Sequence, residues 1–134
     1  MFKKMKAIAI TVCLLFAGFF VSAQEKLDQW PALKDFHAVI STTFHPSEDG
    51  NLVPIKTRSG ELLEKATALA KSPVPATIND PSIPAITKEL LEKVTKLDAG
   101  IRKKKLSDKA ITAQLIGVHD TYHRIVEKCV KGKE

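Results

Sequence analysis

The chain has 134 residues, a formal charge of +6 and two cysteines, and 44% of its side chains are apolar. That apolar share supports one packed core and excludes a disordered chain, and the length suits a single domain. The cationic excess is small and scattered, which argues against a nucleic-acid partner.

The first segment reads as a targeting signal. "MFKKMK" is a basic start, "AIAITVCLLFAGFFV" is an apolar run, and "VSA" before Gln24 fits a small-residue cleavage site. The run is short for a membrane span and ends in the cleavage-like motif, so a secretory signal peptide is favoured over an anchor. Residues 1–23 are therefore expected to be removed, leaving a domain of residues 24–134 that is periplasmic or secreted, with no stable membrane anchor. Loss of Lys3, Lys4 and Lys6 lowers the formal charge from +6 to +3. Cys13 leaves with the signal, so Cys129 has no disulfide partner.

Four helical segments follow, separated by proline-rich punctuation. The first spans about residues 30–44, with Pro31 suited to a first turn. Leu33, Phe36 or His37, Ile40 and Phe44 recur at the spacing of a buried helical face. Pro46 then predicts a stop, and "HPSEDGN" reads as a turn.

A second helix opens near Pro54, or at Ser59 because Gly60 weakens its first half, and continues through "GELLEKATALAK". Its core candidates are Ile55, Leu62, Leu63, Ala66 and Leu69. "SPVPATINDPSIP" carries four prolines in thirteen residues and reads as a long connection. The third helix, about 84–102, places Ile86, Leu90, Val94, Leu97 and Ile101 on one side, and its "RKKK" ending suits a helix C-terminus. Ser107 reads as the N-cap of a fourth helix reaching about residue 130, with Ile111, Leu115, Val118, Tyr122, Ile125 and Cys129 inward. The expected fold is all-α: an up-down-up-down four-helix bundle.

All four histidines fall on the first and last helices or at their edges: His37 and His45, then His119 and His123. In an up-down-up-down bundle these two helices are antiparallel neighbours. With Trp30 near Val130, His37 faces His123 and position 41 faces His119. His119 and His123 are four apart, so their imidazoles reach one point and form either a ligand pair or a polar stripe. As ligands with His37 they make a three-histidine zinc or copper site. His45 lies about 12 Å along the helix from His37, too far to share an ion directly unless its ring folds back. Glu48 and Asp49 beside it are candidate oxygen ligands. "HDTYH" carries Asp120 where a metalloprotease HExxH has glutamate, one methylene too short for that general base. Cys129, about 9 Å beyond His123 along the axis, is expected to be buried as a small hydrophobe.

In layout, and locally in "LIGVHDTYHRIVEKC", the chain resembles exported four-helix bundles of the cytochrome c-prime and cytochrome b562 type. The c-prime haem-attachment CxxCH is missing, since Cys129 is followed by "VKGKE". The b562-like resemblance implies haem b held non-covalently between His37 and His123, as a bis-histidine pair, because both methionines lie in the signal segment. The expected function is a transition-metal-binding bundle using His37, His119, His123 and His45, with a binding or sensing role. A b-type electron carrier and a cofactor-free interaction bundle, its protein partner unspecified, are the alternatives. No nucleophile or general base is identifiable, so no enzyme is expected.

Overall fold

The computed structural model describes residues 27–131 apart from Asn79. The signal-peptide expectation for residues 1–23 and the start at Gln24 lie outside the described residues. Within them the chain forms four α-helices and no strand: α1 (Pro31–Glu48), α2 (Val53–Lys71), α3 (Ile83–Arg102) and α4 (Asp108–Lys131). No helix among the described residues is long and apolar enough to cross a membrane.

Each helix starts where its local chemistry allows. Prolines occupy the first turns of α1, α2 and α3, where a missing N–H costs nothing. Ser107 caps α4 by accepting from the Ala110 N–H at 3.1 Å, and Asp108 follows in the first turn. The two short turns share one closing device. At the end of α1, Asn51 N–H donates to Pro46 and Gly50 N–H to Ser47, with Gly50 at φ 83. At the end of α3, Lys105 N–H donates to Gly100 and Lys104 N–H to Ile101, with Lys104 at φ 54. Both are Schellman closures, which need one left-handed residue. Glycine meets that need without strain after α1, whereas a lysine meets it after α3.

Consecutive helices pack in sequence, and α4 returns beside α1, giving the expected four-helix bundle. The inward residues form one apolar core that includes Leu33, Phe36, Ile40, Leu62, Leu90, Leu97, Leu115 and Ile125. The connection of residues 72–82 crosses one end of the bundle. There Trp30, 1% exposed, donates its indole N–H to Ser72 Oγ at 2.9 Å. Buried Asp98 is satisfied, accepting from Ser59 Oγ and from Arg102 Nε, each at 2.8 Å, whereas the buried Gln114 Oε1 has no partner among the described residues.

The four neighbour contacts are unequal. α1 meets α4 far more sparsely than any other adjacent pair meets. That open seam is where every histidine of the chain resides.

Candidate functional site between α1 and α4

α1 does not stop at Phe44 as its sequence predicts; it runs through Pro46 to Glu48. A proline in the last turn removes one helical N–H but leaves little helix beyond it to disrupt. Ser47 Oγ donates to the Phe44 carbonyl and the Schellman closure ties off the end. The extension matters for the site. It fixes His45 and Glu48 one turn apart on the same helix face, with His45 Nδ1 and Glu48 Oε2 3.2 Å apart.

His37, Ser41, Phe44, His45 and Glu48 from α1, with His119, Tyr122 and His123 from α4 and Ile40 at the base, line one open depression of about 210 Å³. The sequence spacing brought all four histidines to one pair of helices, and they share one groove. Their order along it is a ladder of rings. His45 meets Phe44 edge-on with centroids 5.8 Å apart, and Phe44 stacks flat on His119 at 3.7 Å. His119 meets His123 at 4.4 Å, His123 meets Tyr122 at 5.7 Å, and Tyr122 stacks on His37 at 5.5 Å.

The register differs slightly from the expected one. Phe44, rather than position 41, covers His119, and His37 lies beside Tyr122. Consequently His45 and Glu48 flank the His119 end of the ladder, while His37 flanks the other end.

At the centre, the Nε2 atoms of His119 and His123 are 3.2 Å apart. Without an ion, one neutral ring donates to the other's lone pair. An ion held there would take a lone pair from each ring, the separation being within the span of two Zn–N bonds of about 2.0–2.1 Å. Burial pushes the His119 pKa below its ordinary value, and the neighbouring His123 pushes the same way. The smaller influences on that ring are Asp120 and Glu48, which raise it, and His45, which lowers it. His119 is therefore held in the neutral form that carries a free lone pair.

As the side chains stand, no group of three or more His, Cys, Asp or Glu residues among the described residues is gathered to hold a metal ion. The groove contains one close imidazole pair, with two further imidazoles one ring away. His37 and His45 are exposed and His123 is exposed, while His119 is half-buried beneath Phe44. Asp49 is exposed and does not line the groove. Cys129 is buried at 2% exposure, and burial raises its thiol pKa to about 11, so it is an unreactive core residue that does not line the groove.

Sequence reasoning missed the aromatic part of the site. Phe44 and Tyr122 were assigned to the core, and both are buried, but each also presents a ring face between two imidazoles. The signal was available in "FH" at 44–45 and "YH" at 122–123, where an aromatic precedes a histidine. Comparison with known protein families, with curated proteins and with solved structures finds no match to this chain.

Proposed function

We propose that this protein is an exported, periplasmic or secreted, four-helix bundle that binds a zinc or copper ion in the α1–α4 seam, in a binding or sensing role. The observation that carries the reading is the 3.2 Å approach of the His119 and His123 Nε2 atoms, in a groove lined by the chain's other two histidines. Two imidazoles on adjacent turns hold an ion without strain, and neutral nitrogen donors suit zinc and copper above calcium or magnesium. An open groove gives the ion an entry path and leaves a coordination position for water or a partner's donor.

The haem alternative asks for a slot between His37 and His123. The Tyr122 ring, 4% exposed, neighbours both of those imidazoles and packs on Phe36 at 5.7 Å. A flat macrocycle would have to displace that core contact, so the observation favours a bare ion.

The test is a calorimetric titration of the untagged protein with zinc and with copper. Tight binding near one equivalent, lost in the double variant His119→Ala, His123→Ala, supports the reading. A double variant that binds as tightly as the parent rules it out, and visible absorbance of protein from its native host would reinstate haem.

A further inference from the structure

The ladder has two ends, and a carboxylate stands near each. Asp28 lines a small cavity with His37 and Tyr122 but pairs with Lys34 at 3.1 Å, whereas Glu48 pairs with an imidazole. His37 stacks on Tyr122, whereas His45 sits beside Glu48 in the final turn of α1. Phe44 lies between His45 and His119, with its ring centroid 5.8 Å from the first and 3.7 Å from the second.

We propose that His45 is the third ligand and Glu48 its positioning residue, so that the ion clamps the last turn of α1 onto α4 across the most widely spaced seam of the bundle. This rests on the metal reading above and names its donor set: three imidazole Nε2 atoms with one open position.

Three observations converge on it. The first is the pairing of His45 Nδ1 with Glu48 Oε2 at 3.2 Å. A metal-bound imidazole ordinarily donates its second N–H to a carboxylate, which fixes the tautomer and raises the basicity of the ligating nitrogen. With Nδ1–H committed to Glu48, the lone pair of His45 lies on Nε2, the same atom that His119 and His123 present. The second is freedom to move. The side chains of His45 and Glu48 are 66% and 55% exposed and both line the groove, so little packing holds them and they can turn together toward it. The third is mechanical. The α1 and α4 backbones approach closely at fewer places than those of any other neighbouring pair, with rings between them, so a bond across them adds a direct restraint where the backbones stand furthest apart.

His37 is the competing third ligand. It also borders the groove, but its ring is stacked against Tyr122, and the carboxylate that shares its other cavity, Asp28, is paired with Lys34 at 3.1 Å. Ligation there would clamp the middle of α1 instead of its end.

The experiment is zinc calorimetry on the parent and on His45→Ala, Glu48→Gln, His37→Ala and the His119→Ala, His123→Ala double variant. Thermal midpoints of the zinc-free forms are measured in parallel. Removing one of three ligands at His45 should weaken zinc by about a hundred-fold or more, and Glu48→Gln by about ten- to a hundred-fold. His37→Ala should change affinity by less than about two-fold, within the reach of an indirect effect. The zinc-free midpoints of the His45 and Glu48 variants should match the parent, because both side chains are exposed. Amide exchange adds a readout that ligand loss alone does not give: zinc should slow exchange across residues 45–51 in the parent and not in His45→Ala. If His45→Ala and Glu48→Gln bind as the parent does while the double variant fails, the clamp is wrong and the seam site survives. If the double variant also binds as the parent does, the metal reading itself falls. If His37→Ala takes the large loss, the clamp is overturned in favour of His37.

Discussion

Tyr122 is the one tyrosine of the chain, and its ring stands between His37 and His123 with Phe36 behind it. Burial is the largest influence on its phenol and raises the pKa to about 12, with a smaller contribution from Cys129. The neutral phenol is the form the fold accepts. The stability that depends on it is intact below the unfolded value near ~10 and is lost as the pH climbs through about 12. Alkaline titration of the tyrosinate absorbance should therefore show a single transition near 12, whereas a midpoint at the ordinary value would mean an exposed ring and a differently built seam. The same burial explains why this residue reads from sequence as core and no more. Periodicity reports which way a side chain points, but not which rings from another helix come to lie against it.

At the scale of single elements, the backbone turn after α3 offers a clean test of the local argument. Lys104 adopts φ 54 to complete the Schellman closure, a conformation that costs a non-glycine residue about 1 kcal/mol. Its ammonium has no ion-pair partner among those resolved in the described residues. Lys104→Gly should therefore raise stability by about 0.5–1 kcal/mol, checked by urea unfolding with an unchanged slope. A loss of stability would show that the lysine side chain holds the turn. Helix limits were legible to within a few residues for α2, α3 and α4, because proline at first-turn positions, Ser107 as a cap and the "RKKK" ending all act locally. α1 was read short at Phe44. Pro46 breaks a helix that must continue, but here the helix needs only two more residues before Gly50 closes it. That local difference carried His45 and Glu48 onto the α1 face that borders the groove.

For the molecule as a whole, the histidine placement was legible because antiparallel neighbours in a bundle bring the first and last helices together. Three things were not. The register shift that sets Phe44 over His119 follows from how large rings interdigitate across the seam. The buried Ser59–Asp98 hydrogen bond joins residues 39 positions apart on different helices, and no periodicity announces such a pairing. The wide spacing of the α1 and α4 backbones is a property of the whole packing, not of either helix. A ligand bound in the α1–α4 groove would add to what the packing there supplies, since binding to the folded state alone stabilises it by mass action. The central claim is that His119 and His123 hold the ion through Nε2. The most direct measurement is a long-range proton–nitrogen correlation spectrum of the imidazoles, which contains only four rings, recorded as zinc is added. The account predicts that the Nε2 signals of His119 and His123 shift together and saturate at one equivalent, with Nδ1 of each remaining protonated. Nε2 resonances of both rings that stay in place through several equivalents of zinc would contradict it.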